Sequence, residues 1–384
     1  MSLLLRPGLR LLCSVLLAGL VTASPVVAEG QWTTIFYKRA FVGTYNTNNK
    51  EGAGTTVRMP VTLPPNVEKL RVWLRSDREK PAVLAHLDLI QASETKGAVT
   101  GPFIPVLFSG SASVKIDAGQ KDIASDLVET PLAAGRWYLE SYYSSDTSLY
   151  TYDSEGGFSA RADLRTQPDA KLRQVKGAYV GNVYRVDVFS EAPKPGVICY
   201  GDSITQGYQI TAFSGNRYPD ALARLLDRPV LNLGVNSDFL ISAGAMPQLV
   251  DRLKGATQLI FLMGTNDLIF GKIKDLASYK KNLGAILSSL KKSGKYKVYV
   301  GTILPAGGFK TFDKDPAKEA LRQEINTWIR QDARADGVID FDAALRDPKN
   351  PARLRADYQC GDWVHPSDTG AQKMAETAAA ILKP

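Results

Sequence analysis

A change of rhythm near residue 192 constrains this chain more than any other feature. From Gln31 to about Glu191, apolar residues return at every second position in short runs. Val57, Met59, Val61 and Leu63 alternate with other residues ahead of Pro64-Pro65-Asn66, and Leu70, Val72 and Leu74 alternate with Arg71, Trp73 and Arg75. Further runs cover Val83 to Ile90, Val114-Lys115-Ile116, Trp137 to Tyr143 and Val183 to Phe189. Successive side chains of a strand point to opposite faces, so a period of two marks sheets with one buried face. Turn clusters follow one another closely, and no stretch carries a persuasive helical period. Residues 29–191 are therefore expected to form an all-β sandwich of the jelly-roll kind.

Ala192-Pro193-Lys194-Pro195-Gly196 reads as a stiff linker over residues 192–196. After it, short apolar runs alternate with amphipathic helical patterns through residues 197–384. Expected strands are Val197 to Tyr200, Val230 to Leu233, Leu259 to Met263, Val298 to Leu304 and Val338 to Phe341. Between them lie helical patterns near Pro219–Leu226, Ala245–Leu253, Leu276–Leu290 and Lys318–Arg334, with a last helix after Ser367. Leu276, Tyr279, Leu283, Ile286 and Leu290 recur at steps of three and four, one apolar stripe for a sheet to cover. Strands separated by helices need parallel crossovers, hence a doubly wound α/β domain with its site beyond the carboxyl ends of the strands.

Residues 1–28 read as a signal peptide. Arg6 and Arg10 make a cationic start, Leu11 to Val21 an apolar stretch, and Val26-Val27-Ala28 ends on the small residue that signal peptidase prefers. The stretch is too short to cross a bilayer, which takes about 20 apolar residues, and Leu12 before Cys13 speaks against a lipoprotein anchor. A periplasmic or extracellular location without a stable membrane anchor is expected. Removal of the peptide leaves about 356 of 384 residues and lowers the net charge from +8 to +6. No basic run exceeds Lys280-Lys281 or Lys291-Lys292. That fits a solvated face or attraction to an acidic glycan, and nucleic acid is not an expected partner. Cys199 and Cys360 remain, four residues before Ser203 and five before His365. Export permits a disulfide between them; the alternative is a pair of buried thiols.

Candidate chemistry lies at the expected strand ends. Gly201-Asp202-Ser203 follows the first α/β strand, where Gly201 lets the backbone turn sharply. A serine attacks only when a base takes its proton, and imidazole is best poised for that near neutrality. The chain has two histidines. His86 lies inside an expected strand of the sandwich and receives no catalytic part. His365, in Asp362-Trp363-Val364-His365-Pro366, is the candidate base, with Asp362 placed to orient its ring. The Ser203 and Gly234 peptide N–H groups and the Asn266 side chain, at three successive strand ends, are candidate oxyanion donors, each worth roughly 3 kcal/mol. Taken singly, each of these residues also reads as ordinary turn chemistry.

Gly201-Asp202-Ser203, Gly234, Gly264-x-Asn266-Asp267 and Asp362-x-x-His365-Pro366 match in order the four blocks of the SGNH hydrolases, or GDSL-type esterases, which this chain resembles over about residues 196–382. The resemblance implies a flavodoxin-like three-layer α/β/α domain, with Ser203 as nucleophile, His365 as base, Asp362 as its orienter, and Ser203, Gly234 and Asn266 as the oxyanion hole. It implies no metal and no organic cofactor. Family members cleave esters of acetylated sugars, lipids, aryl alcohols or thiols, and some relatives transfer acyl groups. Ile204 stands where many lipase-like members carry leucine. No G-x-S-x-G elbow, nucleotide-binding P-loop or zinc motif competes.

The expected substrate is an acylated small molecule or glycan. Exported relatives with a β-sandwich in front resemble carbohydrate acetyl esterases, so a short-chain, acetyl-removing serine esterase is the leading expectation. A glycan O-acyltransferase, a generic aryl or short-chain esterase, and a catalytically dead glycan-binding envelope protein are the alternatives. Tyr150 and Tyr152, with Tyr142 and Tyr143, flank a polar loop and are candidates for stacking on sugar rings, or else plain strand residues. Oligomeric state is not legible in the sequence.

Overall fold

The computed structural model describes residues 30–39, 50–51, 53–76, 81–93, 97–145, 147–148, 157–175 and 182–382. The signal-peptide reading, Tyr150 and Tyr152 lie outside the described residues. Among the described residues, thirteen strands build the first half: β1 (Gln31–Tyr37), β2 (Lys50–Glu51), β3 (Thr55–Leu63), β4 (Lys69–Leu74), β5 (Ala82–Ala92), β6 (Val99–Val106), β7 (Val114–Ile116), β8 (Ile123–Ala124), β9 (Gly135–Tyr143), β10 (Thr147–Ser148), β11 (Gly157–Ala160), β12 (Arg173–Val175) and β13 (Val183–Ser190). They pair antiparallel into a four-stranded sheet, β1-β13-β4-β8, a larger one, β12-β11-β3-β9-β5-β6, to which β7 adds beside β5, and a two-stranded ribbon of β10 and β2. The alternating residues named above do face inward. Val57, Met59, Val61, Leu63, Leu70, Val72, Leu74, Val186 and Val188 share one core with Leu89, Leu139 and Trp137. The centre of the larger sheet is also covered on its other face, where Arg58 pairs with Glu140 and both are buried. Such a pair is tolerated inside because each charge finds its opposite.

The second half is a five-stranded parallel sheet of order β15-β14-β16-β17-β18. Its members are β14 (Gly196–Gly201), β15 (Val230–Gly234), β16 (Ala256–Leu262), β17 (Lys297–Gly301) and β18 (Gly337–Ile339). The helices are α1 (Ser203–Gln206), α2 (Tyr218–Leu226), α3 (Met246–Asp251), α4 (Thr265–Ile269), α5 (Leu276–Ser293), α6 (Lys310–Asp313), α7 (Pro316–Asp332), α8 (Phe341–Leu345) and α9 (Asp368–Leu382). Residues of α3, α5 and α7 pack on one face of the sheet, and residues of α2, α8 and α9 on the other, making three layers. Several expected boundaries move, two of them at strand ends near the crevice edge. The fourth strand stops at Gly301 rather than Leu304, and Phe341 opens α8 instead of closing a strand. In both places a short apolar run reads alike as strand or buried turn. The strand order reverses on either side of β14, the first strand, so the turns after β14, β15 and β16 converge at one crevice.

The halves meet along the outer edge of β15. The peptide N–H of Lys254 donates to Thr34 Oγ1 at 3.1 Å, and Thr34 N–H donates back to the Lys254 carbonyl at 3.1 Å. Phe158 of β11 stacks on Phe213 in the loop after α1, with centroids 4.6 Å apart.

Candidate active site

Ser203 is the first residue of α1, and Asp202 caps that helix by accepting from the Ile204 N–H at 2.9 Å. The sharp turn needs Gly201: a Cβ there would lie 2.0 Å from Thr205 Oγ1. Ser203 is buried, and its Oγ lies 2.8 Å from His365 Nε2. The other ring nitrogen, Nδ1, lies 2.6 Å from Asp362 Oδ2. Asp362 Oδ1 accepts the peptide N–H groups of Val364 and His365, each at 2.9 Å. The three-residue offset thus folds into a turn in which one carboxylate aims the ring and holds the backbone that carries it. Burial opposes ionisation of Asp362, yet the bonds from the His365 ring and the two peptide N–H groups hold its carboxyl well below the usual range. Tyr208 covers the imidazole, with ring centroids 4.6 Å apart. The spacing alone did not single it out, although Gly207 before it, at φ 91°, marks the turn that swings it over.

The expected oxyanion donors do not all converge. Among the described residues, the Ser203 N–H has no acceptor, as befits the first turn of a helix. Asn266 Nδ2 donates one hydrogen to the Asp238 carbonyl at 2.9 Å, which fixes the amide and leaves its second hydrogen available. Gly234 is a correction. Its one N–H donates to Asn232 Oδ1 at 2.9 Å. A Cβ at Gly234 would lie 2.0 Å from the Gln206 nitrogen, so this glycine lets α1 sit against the end of β15. The turn beyond it, Val235 to Phe239, contains Ser237 at φ 59°, whose N–H makes no hydrogen bond among the described residues. A non-glycine residue in the left-handed region was the signal that sequence reading could not supply.

The cysteine pairing is the second correction. Cys199 and Cys360 are both free thiols. Cys199 is fully buried on the α2 and α9 face of the sheet. Cys360 is partly exposed, with its sulfur, an Asp362 oxygen and a His365 nitrogen within 4.8 Å of one another. Cys199 is thus inside the helix-covered face of the sheet, whereas Cys360 stands in the loop that carries His365. Of the tyrosines considered for sugar stacking, Tyr143 is fully buried and accepts the Asn182 N–H, so it presents no face to a ligand. Tyr142 stacks on His86 at 5.3 Å. A cavity of about 560 Å³ between β1, β3, α2 and β15 is lined by none of Ser203, Asn266, Asp362 and His365. The chemistry belongs to the crevice at the carboxyl end of the sheet.

Residues 199–373 match the profile of the GDSL-like Lipase/Acylhydrolase family. No curated protein matches the chain. Among solved structures, it is similar to a putative lipolytic protein of the G-D-S-L family from Desulfitobacterium hafniense, at 21% identity over 49% of this chain and 100% of that one, with a TM-score of 0.40. The M. smegmatis aryl esterase aligns at 15% identity, covering 50% and 99%, with a TM-score of 0.41. A carbohydrate acetylesterase family member from Sinorhizobium meliloti aligns at 16% identity, covering 50% and 98%, with a TM-score of 0.42. The α/β half, preceded by a β-rich domain, thus carries a domain of the GDSL-like Lipase/Acylhydrolase family over residues 199–373, the kind that acts on ester bonds.

Proposed function

We propose that this protein is an exported serine esterase that removes short acyl groups, acetyl foremost, from carbohydrate. One observation carries the chemistry: His365 is bonded through Nε2 to Ser203 Oγ and through Nδ1 to Asp362. His365 takes the Ser203 proton as Oγ attacks the ester carbonyl. The oxyanion is held by the Ser203 N–H, the second amide hydrogen of Asn266 and, in place of Gly234, the Ser237 N–H. His365 then returns the proton to the departing sugar hydroxyl, leaving an acyl-Ser203 enzyme. Water, deprotonated by the same ring, attacks that ester, and Ser203 regains its proton as the acid leaves.

Two features support a short acyl group on a polar alcohol. Among the described residues, no long apolar helix lies between the motif-bearing loops to roof a lipid tunnel. The turns around the crevice are polar, with Asn236, Ser237 and Asp238 on one side and Thr211, Ser214 and Asn216 on another. The signal-like residues 1–28 support export. The test is mass spectrometry of acetate released from acetylated glycans, set against nitrophenyl esters of increasing chain length. Preference for acetate on sugar is expected; preference for long acyl chains overturns the substrate reading. Transfer to a sugar hydroxyl uses the same acyl-enzyme, so an added alcohol acceptor that captures most of the acyl group would make the protein a transferase.

A further inference from the structure

We propose that Arg39, a residue of the N-terminal β-domain, is a positioning residue for the reaction, because it holds the turn that carries the Ser237 N–H and anchors the Asn266 amide. This inference rests on the acyl-transfer reading above. Arg39 follows β1 and reaches across nearly 200 positions of sequence. Its Nη2 lies 2.6 Å from Asp238 Oδ2, and both side chains are mostly buried. Its Nη1 donates to the Leu233 carbonyl at 3.2 Å. The guanidinium lies over the Tyr200 ring, 4.2 Å from its centroid. Three anchors thus meet on one planar cation: the strand that delivers Ser203, the end of β15, and the turn after it.

The need for such a clamp follows from topology. β15 is the edge strand of the parallel sheet, so on its outer side no neighbouring α/β strand steadies the turn from Val235 to Phe239. The α/β domain holds that turn from within. The Asp238 carbonyl receives Asn266 Nδ2, and Asp267 Oδ2 accepts the Leu240 N–H at 2.7 Å. Arg39 holds it from without. It also neutralises Asp238, whose charge acts on the buried carboxyls of Asp202 and Asp267. A guanidinium fork can satisfy a carboxylate and a carbonyl together, which a lysine ammonium does less well. Oxyanion donors contribute only when already aimed, and small misplacements from a distance can cost about a hundredfold in rate.

The test compares Arg39→Ala, Arg39→Lys, Asp238→Asn and Thr34→Val in the full-length protein with a nitrophenyl acetate substrate. Thr34 joins the domains beside Lys254, at the opposite end of β16 from Asn266, and donates to Asp187 Oδ1 at 2.7 Å within the β-domain, so its loss reports on loosened docking and β-domain packing without touching the turn. Expected are a fall in kcat of about 10- to 100-fold in Arg39→Ala with KM within about twofold, a partial deficit in Arg39→Lys, and restoration of several-fold by millimolar ethylguanidinium. Thr34→Val loses thermal stability with kcat unchanged. Should Arg39→Ala not fold, Asp238→Asn carries the test, with the same loss of kcat expected. Wild-type kcat in Arg39→Ala or Asp238→Asn, an equal loss in Thr34→Val, or no ethylguanidinium effect overturns the proposal. Activity retained by Ser203→Ala would instead sink the acyl-enzyme reading, so the two failures are distinguishable.

Discussion

Each half of the molecule holds one of its two histidines, and the two rings show what separates a buried polar network from a reactive one. His86, in the antiparallel half, lies between Asp88 at 2.9 Å and Asp163 at 3.1 Å, with Arg165 also donating to Asp88. Both ring nitrogens face carboxylates within a sheet, so neither faces a group whose proton it could take. His365, in the parallel half, has one carboxylate and one hydroxyl, and it stands in a loop at a strand-end crevice. The ingredients are nearly the same. An antiparallel sandwich covers its strands side by side, whereas a parallel sheet gathers its turns at one edge, where a small molecule can reach them.

Replacing Ser203 by alanine gives the largest expected contrast, a loss of roughly 10⁵- to 10⁶-fold in kcat and of labelling by a fluorophosphonate. His86→Asn should leave kcat within about twofold and lower the urea midpoint, at a cost of about 2–3 kcal/mol for the carboxylates left unmatched. A catalytic deficit in His86→Asn with an unchanged midpoint would break the comparison. Next in size, Asp362→Asn should lower kcat by about 10³- to 10⁴-fold, since the ring loses both its orienter and the charge that steadies imidazolium.

Asn266→Ala should cost about 10²- to 10³-fold in kcat with little change in KM. Ser237→Gly keeps the peptide N–H and should stay near the wild type. A large loss there would assign the role to the Ser237 hydroxyl instead.

A pH-dependent prediction concerns Asp202, which is fully buried. Burial pushes its carboxyl up to about 7 from an ordinary 3.8. Below the ordinary value both states are protonated, and the group contributes nothing. Between about 4 and 7 the unfolded chain ionises first while the folded protein keeps its proton, so stability falls as pH rises and levels off above about 7. Asp202→Asn removes this dependence. Its urea stability relative to wild type should climb across that window, by up to about 4 kcal/mol; parallel curves for the two proteins would show that Asp202 stays ionised throughout.

The smallest expected effect is at the cysteines. Burial, with the Asp362 charge nearby, raises the Cys360 thiol to about 11, and burial raises Cys199 further. Native protein should therefore alkylate slowly at Cys360 and not at Cys199, while Cys360→Ser keeps full activity. Resistance of both thiols after denaturation without reductant would restore the disulfide.

The sequence by itself determined the two sheet classes and the meeting of Ser203, Asp362 and His365 at one candidate site. Period-two and helical patterns report local burial, and Ser203, Asp362 and His365 stand at strand ends that any doubly wound sheet must bring to one edge. It determined His86 as structural for the same reason, because a residue inside a strand is presented to a neighbour and not to a crevice. Tertiary structure alone decided where single hydrogen atoms go. Gly234 spends its one N–H on Asn232, and Ser237 takes a left-handed turn that its side chain does not announce. Cys199 and Cys360 both lie near the motifs in the chain, yet one is inside the sheet's core and the other beside His365, and both are free thiols. Arg39 reaches Asp238 only because β1 lies along the edge of β15. Periodicity fixes which face of an element is buried, but a contact between elements depends on angles and distances that no local pattern encodes.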